Sequence, residues 1–310
     1  MLLFGGFLLF LGYGFDRFYL GGGEFVLPFG TLTALGVGSV SAVSSYLSGD
    51  RAVLLSTGAV PFERALSAAP EGQALRIRQL DNVVEEMAIA SGLPKPKVFV
   101  VPDSDPNAFA TGRDPEHASI AVTQGLLDAV NREELQAVVA HELSHVRNLD
   151  IRLMTVIAAL VGAITLLADW TGRGMRSGVG SSGRSSSSRK GKDGGGGAAI
   201  LLVVWIVAML VAPVVGRILA MMVSRQREFL ADATGAELTR NPLALASALE
   251  KIDAAAAPTL SAKRGTAHLC IADPMGAQLG LREGRLADLF ASHPPMATRI
   301  AALRKIAFQA

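Results

Sequence analysis

The chain has 310 residues, half of them hydrophobic and only 18% charged, below the roughly 25% usual for a soluble domain. That surplus of apolar residues belongs in a large core or in lipid. A net charge of +2, with no basic stripe interleaved with aromatics, gives no argument for nucleic-acid binding beyond a minor alternative at the basic 171–197 tract, and the single cysteine, Cys270, excludes an internal disulfide.

In chain order, the first predicted elements are two uncharged apolar runs, Met1 to Phe15 and Phe25 to Gly49. A membrane helix needs about 20 apolar residues, and the second run, at 25 residues, meets that. Two more follow later. Leu153 to Ala168 is 16 uncharged residues ending near Trp170, an interfacial anchor. Gly194 to Gly216 is also uncharged. Between them Thr171 to Gly197 is low-complexity Gly/Ser with six Lys/Arg, a composition that cannot bury a core. The expected organisation is two transmembrane helices in 1–49, a first polar block in 50–152, a membrane hairpin in 153–216 and a second polar block in 217–310.

The two polar blocks read as parts of one folded domain. Ile77, Leu80, Val84 and Met87 recur at helical spacing in Ala74 to Ser91. "KVFVV", Lys97 to Val101, reads as a strand, and Asn107 to Thr123 as a hairpin around the turn-forming "RDPEH". Asn131 is a helix cap with Glu134 three residues on. Asn241 and Pro242 open another helix carrying Leu245, Leu249 and Ile252.

The helix after Asn131 contains "HELSH". Positions i and i+4 of a helix point the same way, so His141 and His145 can hold one metal ion. Glu142 is turned to lie beside that ion without ligating it, where a base for water should stand. Zinc hydrolases use three protein ligands and leave a fourth position open, so a third ligand is needed. "SRQREFLADATGAE" offers Glu228 and, one turn later, Asp232, which can receive an imidazole N–H. His145 lies 8 residues before the third apolar run and Glu228 12 residues after the fourth. On continuous antiparallel helices the two would meet just off one membrane face.

Five stretches together resemble the HtpX-type membrane metalloproteases, relatives of the CAAX prenyl proteases within the gluzincin zinc peptidases. They are "PNAFATGRDPEHASIAVTQGLL", "VVAHELSHVRNLD", "SRQREFLADATGAELTRNPLALASALEKI", "TAHL" and "SHPPMATRIAAL", spread over most of residues 95–304. The resemblance implies an α+β fold: a mainly helical zincin-like domain with a small β-sheet, plus about four transmembrane helices. It implies one zinc ion held by His141, His145 and Glu228, with Glu142 as general base and acid and Asp232 behind His141. It further implies that Asn107, Ala108 and Phe109 line an edge strand for substrate backbone, which peptide addition to a sheet can use. His293 is the candidate donor to the oxyanion. Arg299 reads as structural, pairing a carboxylate near the site. His117 reads as solvated in the hairpin turn. His268 and Cys270 supply too few donors for a second metal site, so Cys270 reads as a small buried hydrophobe.

The implied activity is zinc endopeptidase cleavage of misfolded or damaged membrane proteins, in protein quality control and stress response. The expected setting is the inner membrane, with the site facing the cytoplasm, the bilayer as a partner, and other membrane quality-control proteins beside it. Arg51 after the second run agrees with that orientation, while the basic 171–197 loop opposes it. The start also departs from the family, having no basic residue before the first run. A CAAX-type processing protease is the alternative enzyme, although four spans are few for its closed chamber. A metal-dependent membrane scaffold is the non-enzyme alternative, although a scaffold has no need of Glu142.

Overall fold

The computed structural model describes residues 13, 29–155, 225–255, 270–271 and 294–308. The chain divides into two compact units, residues 1–48 with 163–214, and residues 49–162 with 215–310. In the first unit the described residues are Tyr13 and the leading part of helix α1, Phe29–Ser56.

α1 covers most of the second apolar run, yet no helix among the described residues is long and apolar enough to cross a membrane. The reason is in its sequence: Thr31, Thr33, Ser39, Ser41, Ser44, Ser45 and Ser48 dilute the Leu and Val. Apart from Tyr13 and residues 153–155, the other three apolar runs lie outside the described residues, as do the 171–197 loop, His268 and His293.

The second unit is built around a four-stranded sheet of order β1-β2-β4-β3. Its strands are β1 (Val60–Pro61), β2 (Lys97–Val101), β3 (Ala108–Thr111) and β4 (Ser119–Thr123). β2 and β4 are parallel, and β3 pairs antiparallel with β4, Ala108 opposite Val122 and Thr111 opposite Ser119. The expected strand and hairpin are both present. Side chains alternate across a strand, and here both faces are covered. Val98, Val100, Ala108, Ala110, Ile120 and Val122 join the main core, while Val101, Phe109 and Ala121 pack with Val53, Leu54, Met154 and Cys270. Burial on both faces explains why "KVFVV" is a continuous apolar run rather than an alternating one.

Seven further α-helices follow, beside a single 3-10 turn at Pro115–His117 and a helical stretch from Asp150: α2 (Phe62–Ala68), α3 (Glu71–Ser91), α4 (Gln124–Ala129), α5 (Arg132–Arg147), α6 (Arg225–Thr239), α7 (Pro242–Asp253) and α8 (Met296–Ala307). α3 ends at Gly92, whose φ of 69° and N–H bonding back into the last turn form a left-handed cap. α5 is the central helix, in contact with α3, α6 and α7. Its start is a capping box: Asn131 Oδ1 accepts from Glu134 N at 2.9 Å, and Asn131 N donates to Glu134 Oε2 at 2.7 Å. Glu134 also accepts from Ser247 Oγ and Lys251 Nζ, at 2.7 and 2.6 Å, which ties α7 to the same end.

α5 does not continue to the third apolar run as the sequence suggests. It stops at Arg147, and Leu149 takes the left-handed conformation with φ 59°. The next helical stretch starts at Asp150. A left-handed residue without a glycine costs steric energy, so the packing on either side must hold it.

Candidate metal centre

His141, Glu142 and His145 lie on the inner turns of α5, where nearly every side chain is buried. α6 runs against this stretch, and Gly235 makes the close approach possible. A Cβ there would stand 3.1 Å from His141 N and 3.3 Å from its Cα, tighter than packed atoms accept without a shift. With the helices this close, Glu228 and Asp232, one turn apart on α6, meet the two histidines.

Glu228 Oε2 is 3.7 Å from His141 Nε2, and Oε1 is 3.7 Å from His145 Nε2. The three candidate ligand atoms lie within 4.8 Å of one another and all three residues are buried. Two zinc bonds of about 2.1 Å at a tetrahedral angle would put ligand atoms about 3.4 Å apart. Neither carboxylate oxygen of Glu228 takes part in a hydrogen bond, although Arg299 Nη1 stands 3.3 Å from Oε2 as an ion-pair partner. Buried carboxylate oxygens are expensive to leave without hydrogen bonds. A cation among these three residues would satisfy them, and the donor set of two imidazoles and one carboxylate suits zinc.

Behind each histidine stands an aspartate held by an arginine. His141 Nδ1 is 3.0 Å from Asp232 Oδ1, in ion-pair reach though off hydrogen-bond alignment. Arg299 donates to Asp232 through Nε and Nη2 at 2.8 and 2.7 Å. Burial alone would raise the Asp232 pKa, but the Arg299 charge and hydrogen bonds outweigh it and hold the carboxyl at about 2. The same pair holds Arg299 firmly protonated. On the other side, His145 Nδ1 donates to Asp150 Oδ2 at 3.2 Å, and Arg227 Nη1 meets Asp150 Oδ1 at 3.2 Å. Burial opposes a charge on His145, yet the Asp150 bond and the carboxylates of Glu228 and Glu142 raise its pKa. In both arms the carboxylate takes the Nδ1 side and turns Nε2 toward the ligand cluster, where Arg299 Nη2 also stands 3.4 Å from His141 Nε2.

Glu142 is buried, and burial pushes its pKa up; the two histidines and a hydrogen bond from the Ala110 backbone pull the other way without prevailing.

The structure thus brings His141, Glu142, His145, Glu228 and Asp232 together, and Arg299 with them. Ala108 and Phe109 sit on the buried edge strand β3, and Asn107 directly precedes it, its Oδ1 accepting from Ala108 N at 3.0 Å. His117 is half-exposed and its Nδ1 meets Asp114 Oδ1 at 2.5 Å. Cys270 is buried. Asp150 and Arg227 were missed. On an unbroken helix Asp150, five residues after His145, would be turned about 140° away from it. The left-handed turn at Leu149 brings it back, and no glycine marks that turn.

Fold and site together define a metallopeptidase of the H-E-x-x-H kind. Residues 74–307 match the model of peptidase family M48, and the chain belongs to that family and is HtpX-like. It is 47% identical to a protease HtpX homolog of Caldanaerobacter subterraneus subsp. tengcongensis over 84% of this chain and 80% of that one. A protease HtpX homolog of Lactiplantibacillus plantarum is 48% identical over 74% and 73%. One from Pyrococcus furiosus is 42% identical over 74% of each chain. A crystal structure of S. mikatae Ste24p aligns at 20% identity and a TM-score of 0.49, covering 97% of this chain and 63% of that one.

Proposed function

We propose that this chain is a zinc endopeptidase that cleaves misfolded or damaged membrane proteins at the cytoplasmic face of the inner membrane. The observation that carries the enzymatic part is the buried His141, His145 and Glu228 cluster with Glu142 beside it. Zinc held there would supply a Lewis acid and lower the pKa of the attacking water. His141 and His145 turn their Nε2 atoms to the ion because Asp232 and Asp150 stand at Nδ1. Glu142 takes a proton from the attacking water and returns it to the leaving amine. The Ala110 N–H keeps Glu142 turned to the edge of β3, where an extended peptide would lie. His293 is the proposed donor to the oxyanion.

The membrane assignment rests on the apolar runs of the sequence, and the quality-control role on likeness to HtpX-type proteases. A scaffold would not need a buried carboxyl of raised pKa beside the ligand cluster. The test is casein cleavage by the full chain in detergent, with and without chelator. Glu142→Gln should keep its zinc and lose cleavage. Full activity in that variant would overturn the mechanism. Comparing an unfolded membrane protein with a prenylated peptide as substrates tests the substrate class, and preference for the prenylated peptide would favour CAAX-type processing.

A further inference from the structure

α5 packs on β3, and its base is held from that strand: Glu142 accepts a hydrogen bond from the Ala110 N–H. Backbone groups of alternate residues in a strand point to the same edge. The next N–H on that edge belongs to Gly112, about 6.8 Å further along. It lies just beyond the last pair of the hairpin, Thr111 opposite Ser119, and donates to Thr155 Oγ1 at 2.9 Å. The same Thr155 hydroxyl meets Thr111 Oγ1 at 2.8 Å. Both threonines are buried.

Thr155 belongs to the helical stretch that begins at Asp150, and other residues of that stretch also touch the site. Asp150 accepts from His145 Nδ1 at 3.2 Å. Met154 packs with Phe109 of β3 in one apolar cluster. Asp150 and Thr155 are about 7.5 Å apart along a helix. One short piece of helix thus holds both the arm behind His145 and the end of the strand that holds the base. The contacts close into a ring, from Glu142 to Ala110, along β3 to Gly112, across to Thr155, back to Asp150 and through His145 to α5. The covalent link from α5 to this stretch is the left-handed turn at Leu149. Its steric cost calls for bonds on the far side, and Thr155 supplies two.

Resting on the reading of the chain as a peptidase, we propose that Thr155 is a positioning residue for hydrolysis. Its hydroxyl fixes the end of β3, and the fixed strand sets the Ala110 N–H that orients the Glu142 carboxyl beside the ligand cluster. Valine has nearly the same shape but no hydroxyl. With valine there, the Gly112 N–H and the Thr111 hydroxyl would lose a buried partner, and the strand end would turn to find another. That shift reaches Glu142 one rung away, and a misplacement of about 1 Å can cost about 100-fold in rate. The three ligands stand on α5 and α6, and Asp150 keeps its own bonds to His145 and Arg227, so zinc binding should not follow.

The test compares the zinc-loaded full chain in detergent with its Thr155→Val and Thr155→Ser forms, by casein cleavage and by residue-resolved hydrogen exchange. Thr155→Val should lower kcat by about 10- to 100-fold, with KM within about twofold of the parent's and zinc affinity unchanged by chelator competition. Amide exchange should speed up at Gly112 and Ala110 but not at Phe109, whose N–H faces β4. Thr155→Ser restores the hydroxyl and should return both kcat and exchange to the parent values. A Thr155→Val protein with a lower urea midpoint but unchanged kcat and Ala110 exchange would overturn the proposal. So would a loss of kcat that Thr155→Ser shares, or one that lost zinc accounts for. If Thr155→Val fails to fold, Thr155→Cys decides, since its sulfur is only a weak acceptor. It should shift kcat and Ala110 exchange the same way by less, and parent values for both would overturn the proposal. Faster Ala110 exchange in Thr155→Val, with no cleavage even by the parent, would support the hold on Glu142 and remove the peptidase reading.

Discussion

The two histidine arms of the metal centre use the same parts in different surroundings. Behind His141 the pair is Asp232 and Arg299, and Arg299 is fully buried, with its fork shared among Asp232, the Ile271 carbonyl, Glu228 and His141 Nε2. Behind His145 the pair is Asp150 and Arg227, and the Arg227 side chain is 31% exposed. The first arm is sealed and the second reaches solvent. A sealed ion pair is costly to break, because the surviving charge has no water to turn to. An open one is screened and replaceable. Stability should therefore depend on the His141 arm, and tuning of the metal on the His145 arm.

The largest effect should come from Arg299→Met, which leaves Asp232 and Glu228 buried with their cation gone. A loss of about 3–5 kcal/mol of stability is expected, read as a lowered midpoint in urea. A loss no greater than that of Arg227→Gln would erase the difference between the arms. Next, Asp150→Ala should leave the fold intact but weaken zinc binding by about 10- to 100-fold, measured by chelator competition. Asp150→Asn, which can still accept from Nδ1, should lose less. An unchanged affinity in both would deny Asp150 its part.

Glu134 gives a control away from the ligands, a buried carboxylate paired with the half-exposed Lys251. Burial alone would raise its pKa, but its bonds to Lys251, Ser247 and Asn131 lower it. A carboxyl whose folded pKa lies below its unfolded value adds stability above the unfolded value and loses it as pH falls through the folded one. Glu134→Gln should therefore cost roughly 1–3 kcal/mol at neutral pH, with the gap from the parent closing in acid below the ordinary carboxylate range. A gap that widens in acid would reverse the assignment. The smallest effect should be that of Arg227→Gln, no more than about 1 kcal/mol. Its cost in zinc affinity should shrink as salt is added, and a salt-independent cost would mean that this arm is sealed too.

How much of this was legible in the sequence depended on whether the signal was local. The Asn131 cap, the "KVFVV" strand and the hairpin around "RDPEH" are set by neighbouring residues, and they lie where the sequence placed them. His141, Glu142 and His145 follow from helical spacing. Glu228 and Asp232 were readable as an i, i+4 pair, but only the packing of α6 on α5 at Gly235 brings them to the histidines. Asp150 was hidden because Leu149 adopts a positive φ with no glycine to announce it. The bond from Ile271 to Ala108 joins positions 163 apart and carries no sequence pattern at all.

The seam between α5 and α6 has a consequence for how the protein is made. Glu228 follows His145 by 83 residues, and ribosomes add roughly 5–20 residues per second. The sheet and α5 leave the ribosome with both histidines and the base in place, but several seconds pass before the third ligand exists. Bringing the ends of so long a segment together also costs on the order of 4 kcal/mol of chain entropy, which a bound cation can offset. Hydrolytic capacity is therefore withheld during synthesis and arrives with the last cross-link. A nascent chain stalled before residue 228 would carry the whole "HELSH" motif and harm nothing around it.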